Sequence, residues 1–372
     1  MSCGVAQRRL GRIGNSSMTN LGFNLQQFAG VRVLITGHTG FKGAWLTRIL
    51  NHANAEVFGV ALPPESGSIF KRESGLDFAE QKYIDINNRK KITKFITRIN
   101  PDLIIHMAAQ PLVRRSYREP IETFQTNVIG TAHVLQAALE SSRLKGVVAV
   151  TTDKVYKNVE KNEGYFEDEP LGGTDPYSAS KSASEMVVTA WRNLAEIAGD
   201  KIFIAARSGN VIGGGDSAED RLIPDLIRGF KKNQQVIIRN PESLRPWQHV
   251  LDPLFGYLAV AAKILNGESA SGAYNFGPAE ASKLTVGEMS DLACQFWPRN
   301  PGWIHRPTGD SLHESKLLWL SSDRARTELG WKNLLDARES IKWSIEWELE
   351  AERTSPLDAL DQQISRYQEM MK

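Results

Sequence analysis

Thr152-Asp153-Lys154 sets a hydroxyl, a carboxylate and an amine on three successive residues, with the aspartate 24 residues ahead of the tyrosine of Tyr177-x-x-x-Lys181. The Tyr-x-x-x-Lys spacing puts a phenol and an ammonium one helical turn apart on one face. A cation there lowers the pKa of the phenol, so a phenolate can take a proton from a hydroxyl while hydride leaves the adjoining carbon. Oxidation of that kind needs only this pair. The upstream carboxylate and amine add a candidate acid and a candidate base, which elimination of water requires and simple oxidation does not. A lysine acts as a base only if its pKa falls toward neutrality, and an aspartate acts as an acid only if its pKa rises. Exclusion of water does both. A protonated lysine can also donate, so the spacing leaves open which of Asp153 and Lys154 is acid and which is base.

The elements that must position these groups follow from the apolar pattern. Val31-Arg-Val-Leu-Ile-Thr36 is a short β-branched run stopped by Gly37, and residues 41–52 carry Trp45, Leu46, Ile49 and Leu50 at helical spacing. Residues 57–61 predict a second strand, ended by Pro63-Pro64. Residues 88–99 predict an amphipathic helix with Ile92, Phe95, Ile96 and Ile99 on one stripe, broken at Pro101. Strands are expected at 103–108, 146–151 and 201–206, and helices at 128–139 and 178–194. Such alternation predicts an α/β fold: a Rossmann-like, doubly wound parallel sheet covered on both faces. Beyond about residue 210 the pattern loosens. Trp297, Trp303, Trp319, Trp331, Trp343 and Trp347 mark a smaller α-rich C-terminal lobe.

Gly37-His-Thr39-Gly40-Phe41-Lys-Gly43 follows the first predicted strand and opens the first helix, the context in which a glycine triplet binds a dinucleotide. Gly37 permits the tight turn, Gly40 lets backbone N–H groups approach a pyrophosphate at the helix N-terminus, and Gly43 lets the helix pack close. Thr39 and Phe41 complete this cradle. Asp85 and Ile86, after a later short strand, are candidates for adenine contact. Ala108, Ala109 and Gln110 follow the 103–108 strand, where Gln110 and Arg114 could reach cofactor or substrate. An acid closing the second strand would favour NAD by gripping the ribose, but Leu62-Pro-Pro-Glu65 has none at the tip. Lys42 and Arg48 are cations that could meet a 2′-phosphate, so NAD and NADP both stay open.

Hydrophobic residues make up 41% and charged residues 24% of 372, the balance of a soluble globular protein. Lysine and arginine total 45 against 43 acidic residues, which gives no reason to expect nucleic acid or a membrane surface as partner. No run of 18 apolar residues predicts a membrane span. Arg8, Arg9 and Arg12 have no apolar stretch behind them, which argues against a secretory signal. Two cysteines, Cys3 and Cys294, make no disulfide framework, and a reducing cytoplasm is the expected compartment. No cluster has metal-ligand spacing.

With the glycine motif, Thr-Asp-Lys and Tyr177-x-x-x-Lys181 in this order, the chain resembles the extended short-chain dehydrogenase/reductase superfamily. Within it, the likeness is strongest to the CDP-glucose 4,6-dehydratases. It is carried by Gly37–Gly43, His106-Met-Ala-Ala-Gln-Pro-Leu-Val-Arg114, Thr152–Lys154, Asp175-Pro-Tyr-Ser178 with Lys181, Arg207–Asp216, Arg221–Asp225, Ile238–Pro241 and Arg245–His249. The likeness runs from about residue 28 to about 350. It departs at Thr152 and Val155, where that family most often has serine and cysteine; Thr152 keeps the hydroxyl.

The resemblance implies an NAD-dependent reaction on a nucleotide-linked hexose, giving a 4-keto-6-deoxy sugar for a surface polysaccharide or other deoxysugar. Tyr177 would take the C4 hydroxyl proton, Thr152 would hydrogen-bond O4, and Lys181 would hold the nicotinamide ribose and tune Tyr177. Lys154 would remove the C5 proton while Asp153 protonates the departing C6 hydroxyl. Arg114, Asn210, Arg221, Arg239, Arg245 and Gln248 are expected on the nucleotide sugar, since two phosphates suit arginine forks. His249 reads equally as a packed structural residue, and His313-Glu314 as a cleft-lining pair. The resemblance also implies a homodimer through helices near 119–140 and 178–196. Residues 1–28 read as a disordered extension, 29–210 mainly as the NAD-binding domain with the catalytic residues, 211–350 mainly as the substrate lobe with elements free to cross over, and 351–372 as a tail. The rival on the same scaffold is a 4-epimerase, which has no use for Asp153 and Lys154. A silent cofactor-sensing protein, in turn, has no use for Tyr177 and Lys181.

Overall fold

The computed structural model describes residues 23–72, 75–199, 201–279, 282–307 and 317–372. Largely apolar runs form β1 (Arg32–Thr36), β2 (Glu56–Ala61), β4 (Leu103–His106), β5 (Gly146–Val150), β6 (Ile202–Ser208) and β7 (Ala273–Phe276), and the polar, exposed run Glu80–Tyr83 forms the edge strand β3. They pair in parallel throughout, in the order β7-β6-β5-β4-β1-β2-β3. The order reverses between β1 and β4, so the loops leaving their carboxyl ends diverge and open a crevice there. Helices α1 (Phe41–His52), α2 (Arg89–Ile99), α3 (Thr131–Glu140) and α4 (Pro176–Ala198) connect the strands. On α2 the predicted stripe of Ile92, Phe95, Ile96 and Ile99 is buried, under an Asn88 cap that accepts from the Lys91 N–H.

The predicted helix across 119–140 is broken in the structure. Glu119 precedes Pro120 and adopts φ −130° and ψ 61°, because proline excludes helical geometry from the residue before it. A π-helical turn then covers Gln125–Gly130 before α3 begins. The extra residue in that turn gives Asn127 a structural task. Its Oδ1 accepts from the Gln110 N–H at 2.8 Å, and its Nδ2 donates to the Gln110 carbonyl at 3.1 Å and to Ser180 Oγ at 2.9 Å. The side chain thereby fastens the loop after β4 to α4.

The second half supplies α5 (Leu222–Lys231), α6 (Leu251–Asn266), α7 (Val286–Phe296), α8 (Ala337–Arg353) and α9 (Pro356–Met370). Strand β7 and helix α6 cross back onto the central sheet. Helix α6 is apolar nearly all round and buried on every face, as a helix between a sheet and further helices must be. Ile223, Leu226, Ile227 and Phe230 of α5 pack with Met289 and Ala293 of α7 and with Ile341 and Ile345 of α8 to form the core of the smaller lobe.

Two expectations from the sequence need correction here. Residues 351–372 are not a tail: α9 starts on a Ser355 cap with Pro356 in its first turn, and buries Leu360, Ile364 and Tyr367. Tyr367 stacks on Phe255 of α6 at 4.9 Å, and Asp361 takes a forked bond from Arg48 at 2.5 and 2.6 Å. Trp331, Trp343 and Trp347 belong to the main core under the sheet rather than to the smaller lobe. Of the expected extension 1–28, residues 1–22 lie outside the described residues, whereas Phe23 and Phe28 pack into the core and Leu25–Phe28 form a turn of 3-10 helix.

Candidate active site

A cleft of about 710 Å³ opens over the carboxyl ends of β1, β4, β5 and β6 and is closed on its far side by the smaller lobe. The glycine loop forms one wall. Gly37 has φ 79°, and a Cβ there would lie 2.8 Å from the Ala108 backbone nitrogen, so only glycine lets the two loops meet. A Cβ on Gly43 would strike the Gly37 carbonyl at 2.4 Å. Gly40 precedes α1 with no side-chain cap, which leaves the first N–H groups of a 12-residue helix aimed into the cleft. This is the kind of cradle a pyrophosphate needs, and Thr39, Phe41, Asp85, Ile86, Ala108 and Ala109 all line the same cleft.

Gln110 does not line the cleft. Its Oε1 accepts from the Leu112 N–H at 2.6 Å and its Nε2 donates to Thr123 Oγ1 at 2.9 Å, so the side chain folds back to brace its own loop. Neither cation considered for a 2′-phosphate stands at the end of β2. Arg48 is held by Asp361, and Lys42 turns inward to donate to Ser208 Oγ at 2.8 Å and Tyr257 Oη at 3.1 Å. The residues present fit NAD.

At the end of β5, Thr152 is extended and caps a single turn of 3-10 helix over Asp153–Val155. That turn sends Asp153 inward, 3% exposed, and leaves Lys154 half-buried on the cleft wall. Thr152 Oγ1 donates to Asp153 Oδ1 at 2.8 Å. A Cβ on Gly209 would come within 2.6 Å of Asp153 Oδ2, so the glycine makes room for the carboxylate. The Lys154 ammonium has no hydrogen-bond or ion-pair partner among the described residues. Opposite, Asp175 caps α4 by accepting from the Ser178 N–H at 3.0 Å, and Pro176 starts the helix. Tyr177 thus stands in the first turn, buried beside Thr152, with Lys181 one turn on.

Burial pushes the Tyr177 phenol up to about 12, against the Thr152 hydroxyl and the Arg221 guanidinium, which pull it down. Lys181 is brought down to about 8, mainly by burial, and donates to the Val150 carbonyl at 3.2 Å. Lys181 stands one helical turn from Tyr177, and Arg221 adds a second cation whose charge pulls the phenol down. Lys42 is brought to about 7 by burial and by the like charges of Arg221 and Lys181.

Beneath the site runs a buried network that single motifs did not announce. Glu185, one turn beyond Lys181 on α4, accepts from Thr151 Oγ1 at 2.5 Å and from Arg207 Nε and Nη2 at 2.8 and 2.5 Å. Arg207 also donates to Tyr156 Oη at 2.6 Å, which in turn donates to Asn275 Oδ1 at 2.8 Å. The four-residue spacing from Lys181 to Glu185 was the one available sign. His249, packed edge-on against Trp45 and Trp343 and held near 3 by burial, is a structural residue.

Arg114, Asn210, Arg221, Arg239 and Arg245 all line the cleft. Arg221 donates to Asp216 at 3.0 Å, and Arg245 Nη1 to the Leu244 carbonyl at 2.9 Å. Gln248 is fully buried and donates to the Phe276 carbonyl at 2.9 Å, so it ties the smaller lobe to β7 and is out of reach of a substrate. His313-Glu314 lie outside the described residues.

Residues 33–277 match the model of the NAD dependent epimerase/dehydratase family. The chain is 44% identical over 325 residues to the CDP-glucose 4,6-dehydratase of Salmonella typhimurium, covering 86% of this chain and 90% of that one. It is 26% identical over 346 residues to the dTDP-glucose 4,6-dehydratase of Haemophilus influenzae, covering 86% and 98%. Among solved structures it shares its fold with the UDP-glucose 4-epimerase of Thermotoga maritima, with a TM-score of 0.75 at 19% identity over 86% of this chain and 99% of that one. The glycine cradle, the Tyr-x-x-x-Lys pair and the family match agree, and the chain belongs to the NAD dependent epimerase/dehydratase family.

Proposed function

We propose that this protein is an NAD-dependent 4,6-dehydratase of a nucleotide-linked hexose, and that the hexose is CDP-glucose. The observation that carries the reading is the buried Asp153 beside Thr152 and Tyr177, with the Lys154 amine facing the same space. An epimerase has no task for that carboxylate and amine. Similarity to a CDP-glucose 4,6-dehydratase over most of both chains supports the cytidine nucleotide.

NAD in the glycine cradle would supply the hydride acceptor at C4 and the hydride donor at C6. Tyr177 takes the proton from the C4 hydroxyl, with Thr152 bonded to O4. The C4 ketone acidifies the C5 proton, which Lys154 removes and later returns. Asp153 gives its proton to the C6 oxygen, so that water can leave. Lys181 orients the nicotinamide ribose, and Arg114, Arg239 and Arg245 take the diphosphate with Asn210 beside them. Arg221, paired with Asp216, lines the same cleft and joins them, and its charge also favours the ionised phenol.

Incubation with CDP-glucose and NAD, followed by mass spectrometry, tests the reading. The wild type should lose one water per sugar, while Lys154→Ala should bind but turn over at least about 100-fold more slowly. An unchanged mass with an inverted C4 would make the protein an epimerase.

We also propose a homodimer. Ile121, Ile129, Met186 and Ile197 are 67%, 50%, 59% and 84% exposed on the outer faces of the 120–130 segment and α4, a surface that a second copy would cover. A one-chain mass by light scattering at micromolar concentration would exclude it. Among the described residues no helix is long and apolar enough to cross a membrane. Cys294 is a buried free thiol, in keeping with a reducing cytoplasm as the compartment.

A further inference from the structure

At the mouth of the cleft one carboxylate stands between the arginines assigned to the substrate phosphates. Asp220 Oδ1 lies 3.5 Å from Arg239 Nη2, which comes from the smaller lobe, and 4.0 Å from Arg114 Nε, which comes from the segment after β4. All three side chains line the cleft, and Asp220 keeps 39% of its side-chain surface exposed. At those separations the pairs are loose, and partly solvated pairs of this kind are weak.

The backbone around Asp220 is anchored on both sides. Asp216, 6% exposed, accepts from Arg221 at 3.0 Å and from the Ala218 N–H at 3.1 Å. Arg228 donates to the Ser217 and Ala218 carbonyls at 3.1 and 3.2 Å. Asp220 itself has φ 56°, a left-handed conformation that aspartate and asparagine tolerate better than most residues. A part-exposed side chain on an anchored backbone suits an exchange of partners better than the swing of a lid.

We infer that Asp220 is an exchangeable counter-ion, which occupies Arg114 and Arg239 until the diphosphate of the nucleotide sugar displaces it and which recaptures them when product leaves. This rests on the proposed nucleotide-sugar reading. A diphosphate offers the same two guanidiniums more acceptors and more charge than one carboxylate, so it wins the exchange, but its net affinity is lowered by what it displaces. The device shortens the residence of product.

Asp220→Asn isolates the charge, because asparagine keeps the shape and also accepts positive φ. Calorimetric titration of CDP into the wild type, Asp220→Asn, Arg239→Ala and the double variant provides the test. Asp220→Asn should bind CDP about three- to tenfold more tightly and show a steeper dependence of affinity on salt. Arg239→Ala should bind about tenfold or more weakly, and in that background Asp220→Asn should gain measurably less. Unchanged or weaker CDP binding by Asp220→Asn, with Arg239→Ala still weakened, would overturn the counter-ion and leave the substrate reading intact. CDP binding that Arg239→Ala does not alter would overturn both the phosphate role of Arg239 and the exchange built on it. Melting temperatures of the four proteins show that each is folded.

Discussion

The floor of the cleft and its mouth both carry paired charges, and they are built in opposite ways. On the floor, Arg207 and Glu185 meet at 2.5 Å with side chains 4% and 3% exposed, and further bonds to Thr151 and Tyr156 hold them in one geometry. At the mouth, Arg239 and Asp220 stand 3.5 Å apart with side chains 31% and 39% exposed. A buried charge has no alternative to its partner, so a buried pair fixes structure. An exposed pair competes with water at every moment, so it can be surrendered to a ligand. The contrast separates residues that brace the end of β5 beneath Thr152 from residues that, on the inference above, would trade partners with substrate.

The strongest way to break the comparison is to leave one floor charge unpaired. Glu185→Ala should cost about 3–5 kcal/mol of stability, read from urea unfolding, because the Arg207 guanidinium stays buried without a carboxylate. A loss below about 1 kcal/mol would mean that water reaches the floor and that the two regions differ less than their burial indicates.

Asp252 sharpens the point, since it is a fully buried carboxylate that leans on hydrogen bonds, from the Leu334 N–H at 2.7 Å and from Tyr367 Oη at 2.8 Å. Burial raises it from 3.8 to about 7. The folded form keeps its proton after the unfolded chain has released it. Its contribution is therefore complete below about pH 4 and is lost as pH rises toward 7. The loss is of order 4 kcal/mol for a shift of about 3 units. Asp252→Asn keeps an acceptor and does not titrate, so the difference in unfolding free energy between pH 5 and pH 8 should shrink. An identical pH dependence in the variant would place the titration elsewhere.

The mouth should give the smallest structural effect. Arg239→Ala should change stability by less than about 0.5 kcal/mol. Its KM for the nucleotide sugar should nevertheless rise about tenfold or more, with kcat much less affected, as expected for binding made equally in ground and transition states. A fall in kcat that matches the rise in KM would move Arg239 from holding the substrate to the chemistry.

Much of the framework was legible before any coordinates. The strand runs read at 31–36, 103–108 and 146–151 and the stripe on α2 are patterns of neighbours, and neighbours in sequence stay neighbours in a strand or helix. The same holds for the glycine loop and for Tyr177 with Lys181, whose spacing is itself the geometry. What failed depended on partners far along the chain. Gln110 and Gln248 sit beside residues that line the cleft, yet their side chains point to backbone groups instead. Lys42 and Arg48 lie on the helix that follows the glycine loop, and Ser208, Tyr257 and Asp361 hold their side chains elsewhere.

The sequence by itself determined the alternation of strands and helices, the dinucleotide loop, the hydroxyl, carboxylate and amine together at one strand end, and the phenol one turn from an amine on one helix. Each of these rests on local propensity, period or spacing, which the chain carries in any fold that keeps the element. Only the tertiary structure decided that α9 packs on α6, that β7 completes the sheet from the far half of the chain, and that the side chains of Gln110 and Gln248 turn away from the cleft. Those outcomes are set by which surfaces meet across hundreds of residues, and by how deeply each charge is taken out of water when they do.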